Sequence, residues 1–133
     1  MKTKTLLTIS ASIELATGIA IILSPRLVAN VLFSTELNPG GEAIGRVGGC
    51  GLVSLAIAYW PRGACLPGER EHEQPTRALF LYNLLAACYL SYLELSGDFA
   101  SPFLIPAAAL HAILALLFIR PTYETAKNRA VET

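Results

Sequence analysis

Four side chains with ionisable or hydrogen-bonding groups lie within long apolar stretches of the chain. They are Glu14, Arg46, Asn83 and His111. A carboxyl and an imidazole can exchange protons, and a guanidinium or an amide can hold a small ligand through hydrogen bonds. An ionisable side chain at the centre of a membrane helix costs roughly 2.5–3.5 kcal/mol, so each one needs a partner or a function. These four residues are the candidate site.

Glu14 and His111 lie at matching depths. Each is near the middle of an apolar stretch, residues 5–24 and 102–119 respectively, and each has small residues one helical turn away. We therefore predict a polar cluster of Glu14, Arg46 and His111, joined by Asn83, that binds a small ligand or relays a proton. The alternative is that these groups satisfy one another and only fix the helix register. The sequence leaves open whether Arg46 reaches Glu14 or the membrane interface.

The composition predicts the helices that carry these four residues. The chain of 133 residues is 53% hydrophobic and only 15% charged, whereas soluble domains carry about 25% charged residues. Four nearly uncharged stretches of 18–20 residues follow one another, at 5–24, 43–60, 78–95 and 102–119. As helices, they would each span roughly 27–30 Å, the thickness of a bilayer's hydrocarbon core. We predict one integral membrane domain over 1–133, an all-α bundle of four transmembrane helices.

Two other interpretations of the apolar stretches are disfavoured. A secretory signal peptide has an uncharged core of about 7–15 residues, whereas residues 5–24 are longer and contain Glu14. A soluble four-helix bundle needs a polar face on every helix, and the stretches 79–93 and 103–119 have too few polar residues to form one.

The basic residues predict the orientation. Eight of the ten Lys and Arg residues lie before residue 5, in the connection 61–77 or after residue 119. By the positive-inside rule, both termini and the loop 61–77 face the cytoplasm of a bacterial cell, with the chain in its inner membrane. The formal net charge is zero, which argues against a nucleic-acid partner.

Small residues predict where the helices pack. The pattern Gly41-x-x-x-Gly45-x-x-x-Gly49 lies in the second stretch, and Ala108-x-x-x-Ala112 lies in the fourth. Such patterns let membrane helices approach closely. They favour packing within one bundle, and a homodimer through the glycine face is the alternative.

The three cysteines predict neither a disulfide framework nor a metal site. Cys65 lies in the predicted loop, and we expect Cys50 and Cys88 to be buried as small apolar side chains. The chain has no C-x-x-C pair, no phosphate-binding loop and no dinucleotide motif. We predict no cofactor and no metal ion.

Several short strings resemble small four-helix membrane proteins of bacteria, a loosely DoxX-like group. They are Ile13-Glu14-Leu15-Ala16-Thr17-Gly18, Gly45-Arg46-Val47-Gly48-Gly49, Tyr82-Asn83-Leu84-Leu85 and Ala109-Leu110-His111. The resemblance covers most of the chain and implies a four-helix membrane fold. Some DoxX-type proteins are membrane subunits of quinone-linked oxidoreductases. This chain reproduces no redox motif, so the resemblance carries no catalytic residue to it.

A second resemblance is confined to the first helix. A central glutamate in the context Ala11-x-x-Glu14 resembles the small multidrug resistance exporters, in which that residue exchanges protons for cationic drugs. The third stretch lacks the tryptophan- and glycine-rich sequence of that family, and the loop 61–77 is longer than those exporters have.

Taken together, the sequence predicts a non-enzymatic membrane component. We expect it to bind a small or lipid-like ligand, or to support a larger membrane complex, with the lipid bilayer as its environment. A proton-coupled transporter that uses Glu14 is the first alternative, and a membrane subunit of a quinone-linked redox complex is the second.

Overall fold

The computed structural model describes residues 3–60, 73–99 and 101–131, and this part of the chain forms five α-helices without a strand. The helices are α1 (Thr3–Leu23), α2 (Pro25–Phe33), α3 (Pro39–Ala58), α4 (Glu73–Ser96) and α5 (Leu104–Val131). Residues 61–72, most of the predicted loop, lie outside the described residues, and Cys65 lies with them.

Four of these helices are long and apolar enough to cross a membrane. The candidate spans are Thr3–Leu23, Pro39–Ala58, Pro75–Ser96 and Leu104–Tyr123. The all-helical class and the four predicted stretches are thereby confirmed. The bounds differ at some ends, because helices continue past their apolar cores. Helix α4 begins at Glu73, inside the predicted loop 61–77.

Helix α3 begins four residues before the predicted stretch because its first turn is well capped. The Asn38 side chain accepts a hydrogen bond from the Gly41 backbone N–H at 2.7 Å, and Pro39 occupies the first helical position. Asparagine caps and proline at this position both favour a helix start. Glu42 in the same turn also interacts favourably with the helix dipole.

The short helix α2 is the element that the sequence did not predict as a helix. The nine residues of α2 are too few to cross a bilayer, and they bury Pro25 and Ala29 against the rest of the protein. The helix ends at Ser34, which takes a left-handed backbone conformation with a φ of 51°.

The four long helices form two pairs. Helix α1 packs along α3, and α4 packs along α5. The contacts between the two pairs are few. One apolar cluster joins the first half of α1 and of α4 to the middle of α5. It contains Leu6, Leu7, Leu79, Leu114 and Phe118. A second cluster at the opposite end contains Leu90, Leu93, Leu104 and Ala108.

Helix α2 connects the two pairs at this second end. The rings of Phe33 and Phe99 lie 5.4 Å apart between centroids. The Ser101 hydroxyl, just before α5, donates a hydrogen bond to the Val31 carbonyl at 2.8 Å. The segment after the first helix is therefore attached to the turn between the last two.

The predicted glycine face packs within the chain. A Cβ atom on Gly49 would lie 2.8 Å from the Gly18 carbonyl oxygen on α1, and one on Gly45 would lie 3.2 Å from Pro25. A Cβ on Gly41 would meet Leu37 at 3.3 Å. The intramolecular interpretation accounts for these contacts, and a homodimer stays a prediction that no contact here tests.

The small residues of α5 are also partly enclosed. Ala108 and Ala115 are buried, and Ala112 is half-buried. Because α5 packs mainly on α4, these alanines belong to the second helix pair.

The prediction that Cys50 and Cys88 are buried is wrong. Both thiols are exposed on the surface of the bundle, where lipid would cover them. A small side chain suits either face of a membrane helix, because lipid is as apolar as the protein interior.

Substitutions at Ser34 test the backbone conformation at the chain reversal after α2. We expect Ser34→Val to lower the free energy of unfolding by about 1–2 kcal/mol, because a β-branched residue is strained in the left-handed region. Ser34→Gly is the matched control and should be at least as stable as the natural protein. Unfolding in mixed micelles measures both. Equal stability of the two variants would contradict the assigned backbone conformation.

Candidate functional site

The candidate site begins with two buried oxygen atoms on α1. The Glu14 side chain is only 1% exposed, and Ser10 is fully buried one helical turn before it. Neither Glu14 Oε1 nor Ser10 Oγ has a hydrogen-bond partner among the described residues. Buried polar atoms are nearly always hydrogen-bonded, so two unsatisfied oxygens on one helical face are unusual. Both can accept a hydrogen bond from a group that enters this face.

Tyr82 on α4 is the side chain that reaches the carboxyl. Its side chain lies close to the Glu14 carboxyl, across the interface between the two helix pairs. A carboxyl has lone pairs on two oxygens, so one tyrosine leaves acceptor capacity unused. The unsatisfied Oε1 atom is that remaining capacity.

Asn83 and His111 form the second half of the site. The Asn83 amide is fully buried, and its Oδ1 lies 2.9 Å from the His111 Nδ1 on α5. Its Nδ2 donates to the Leu79 carbonyl at 2.8 Å. With the amide oriented in this way, the imidazole Nδ1 is the donor of the bond between α4 and α5. This hydrogen bond joins α4 to α5.

Tyr82 joins the two halves. Its ring meets the His111 imidazole edge-on, with the centroids 5.7 Å apart and the ring planes at 82°. The side chains from Glu14 through Tyr82 and His111 to Asn83 thus form one contiguous set from three helices. We call these four residues, together with Ser10, the central polar cluster.

The central polar cluster lies between the two apolar clusters. Along α4, Tyr82 and Asn83 come after Leu79 of the first cluster and before Leu90 of the second. His111 has the same relation to the buried residues of α5. Polar groups enclosed at both ends by apolar side chains interact strongly, because little water screens them.

Arg46 does not belong to the cluster. Its Nη2 lies 3.5 Å from Glu42 Oε2 one turn earlier on α3, and the other carboxylate oxygen of Glu42 pairs with the Arg26 Nε. The Arg46 side chain is half exposed. The sequence left open whether Arg46 reaches Glu14 or turns toward the membrane interface. In the structure it turns toward Glu42, on the side where α3 begins. Arg46 therefore provides no positive charge for Glu14.

The contacts of several residues in and near the site were not predicted from the sequence. The contact of Tyr82 with Glu14 was not predicted, because it depends on how α1 and α4 are rotated about their axes. The pairing of Glu42 with Arg46 had a signal in the sequence, because opposite charges four residues apart on a helix are neighbours. The contact of Arg26 with the same carboxylate had none, because it depends on the position of α2.

The site contains no obvious set of metal ligands. Across 3–60, 73–99 and 101–131, no three His, Cys, Asp or Glu side chains come together in an arrangement that could hold a metal ion. What the cluster offers chemically is a carboxyl and a hydroxyl that can accept hydrogen bonds, next to a phenol and an imidazole.

Comparisons of the chain with protein-family models, with curated proteins and with solved structures find no match. The DoxX-like resemblance therefore stays a prediction.

Proposed function

We propose that this protein is a non-enzymatic component of the bacterial inner membrane, with both termini in the cytoplasm, and that it binds a small ligand in its central polar cluster. The ligand carries a hydrogen-bond donor next to an apolar body. Glu14 and Ser10 accept from this donor, while Tyr82 and His111 line the other side.

The observation that carries this proposal is the pair of unsatisfied oxygens on α1. Leaving a buried polar group without a partner costs about 1–3 kcal/mol, and more for a charged group. A chain that needed this cluster only for helix register could have used apolar residues at both positions. A ligand with an N–H or O–H group supplies the hydrogen-bond donor that these oxygens lack. An ammonium group also supplies a positive charge for Glu14, which Arg46 does not provide.

Alkylamine binding tests the proposal. We expect hexylamine to raise the thermal unfolding midpoint of the protein in detergent, because a ligand that binds only the folded state stabilises it. Hexyltrimethylammonium has the same charge but no N–H group and should bind more weakly. Glu14→Gln should weaken hexylamine binding about ten- to hundredfold, the value of a charge-assisted hydrogen bond.

Asp98→Asn is the matched control, since it removes an exposed carboxylate from the turn after α4. It should leave the hexylamine affinity unchanged. Equal affinities of the natural protein and Glu14→Gln would contradict the proposal, and so would equal binding of the two amines.

A proton-coupled transporter is the second candidate, favoured by the contact between Tyr82 and His111. Tyr82 lies next to both Glu14 and His111, the carboxyl and the imidazole of the cluster that could carry a proton. In proteoliposomes with an imposed pH gradient, transport predicts hexylamine flux that Glu14→Gln abolishes. Binding without gradient-driven flux would support the non-transporting component instead.

A further inference from the structure

A second site lies at the α2 end of the protein, away from the central polar cluster. The left-handed residue Ser34 turns the chain back after α2, so that the next residues run alongside this helix. A cavity of about 560 Å³ separates the two segments, within the size range of small-molecule sites. Its walls include Arg26, Leu27 and Asn30 from α2, and Thr35, Glu36 and Leu37 from the returning segment.

The charges on the two walls are opposite and incompletely paired. Arg26 on one wall uses its Nε for the ion pair with Glu42, and its terminal amino groups bond no described residue. Glu36 on the other wall is exposed and pairs with none of the basic side chains that the structure describes. Glu42 is shared by two arginines, so the region retains positive charge on the Arg26 side.

This arrangement favours a zwitterion over a simple anion. An anion at Arg26 would be repelled by Glu36 across the same cavity, whereas a molecule with a phosphate at one end and a cation at the other would match both walls. Arginine suits phosphate because its planar guanidinium presents several N–H donors to the phosphate oxygens.

The cavity also lies at the depth where lipid headgroups are found. It lies beside Ser24, which directly follows the last residue of α1, and just before Asn38, which caps α3. The ends of membrane-spanning helices lie near the boundary between hydrocarbon and headgroups. Leu27 is 63% exposed and lines the same cavity, so the site has an apolar edge against which an acyl chain can lie.

The oxygen acceptors in the cavity distinguish between cationic headgroups. Asn30, Thr35 and Glu36 each carry an oxygen that can accept a hydrogen bond. A primary ammonium has three N–H donors for them, and a trimethylated choline has none. We propose that this cavity binds a phosphoethanolamine headgroup, with the phosphate at Arg26 and the ammonium at Glu36, and that the apolar edge selects the phospholipid over the free headgroup.

Lipid binding to the purified protein tests this proposal. Native mass spectrometry in detergent would compare phosphatidylethanolamine, phosphatidylcholine and phosphatidylglycerol with identical acyl chains. We expect the ethanolamine lipid to bind at least tenfold more tightly than either of the others. Soluble glycerophosphoethanolamine should compete at least tenfold less well than the lipid, and equal competition would overturn the assignment to a lipid.

Variants test the two walls of the cavity independently. Glu36→Gln should reduce the preference for ethanolamine over choline to about twofold or less, and Thr35→Val should reduce it in the same direction. Arg26→Gln should weaken binding of both lipids. Asp98→Asn and Glu14→Gln should leave the preference unchanged, because neither residue lines this cavity. An unchanged preference in Glu36→Gln, or tighter binding of phosphatidylglycerol, would overturn the proposal.

Discussion

Replacing Gly18 or Gly49 with alanine is expected to lower the free energy of unfolding by about 1–3 kcal/mol. The two glycines bring the backbones of α1 and α3 together. A Cβ on Gly18 would lie 2.8 Å from the Gly49 carbonyl oxygen, and a Cβ on Gly49 would lie 2.8 Å from the Gly18 carbonyl oxygen. Backbone atoms cannot rotate away as a side chain can, so the helices must separate to admit either methyl group.

Gly48 is the matched control on the same helix. A Cβ there would have no neighbour within 4 Å. Gly48→Ala should be neutral or stabilising by up to about 1 kcal/mol, because alanine is the better helix former. Unfolding in mixed micelles measures all three variants. If Gly18→Ala and Gly49→Ala are as stable as Gly48→Ala, the close approach of α1 and α3 is wrong.

Removing the amide of Asn83 is expected to cost about 1–3 kcal/mol of unfolding free energy. Asn83→Leu keeps a side chain of similar shape and leaves the His111 Nδ1 without its partner. His111→Phe removes the same hydrogen bond from the other side and keeps an aromatic ring against Tyr82. Each single variant should therefore be destabilised.

The double variant of Asn83→Leu and His111→Phe measures the energy of the hydrogen bond separately from the other contributions of the two side chains. If the bond between Asn83 and His111 is made, the combined loss should be smaller than the sum of the single losses. Interhelical hydrogen bonds in membrane proteins give couplings of about 0.6–1.7 kcal/mol in such cycles. Strictly additive losses would mean that the two residues act independently.

The sequence predicted the four long helices because charge and length are strong constraints in a bilayer. A helix interior without charges must match the hydrocarbon thickness, and residues such as Glu14 and His111 stand out against that background. Helix α2 escaped prediction because nine residues cannot span a membrane, so no length rule applies to them. Its start was marked by Pro25, a residue that favours the first turn of a helix.

The composition of the candidate site was only partly predictable. The sequence placed Glu14, Asn83 and His111 at suitable depths, and small neighbouring residues indicated an inward direction. It could not tell which neighbour each side chain would meet, because a rotation of a helix by a few tens of degrees replaces one partner with another. Arg46 illustrates this, since it pairs with Glu42 one turn earlier on its own helix and not with Glu14.

The division into two helix pairs has a consequence for biosynthesis. The contacts of α1 with α3 involve only residues up to about position 58, so this pair can form while the remainder is still on the ribosome. The central polar cluster needs His111 and cannot be complete until the last helix has been inserted. Until α4 has been inserted, Glu14 also lacks Tyr82 as a neighbour. During insertion, the Glu14 carboxyl is therefore in the membrane before the side chains that enclose it in the folded protein are present.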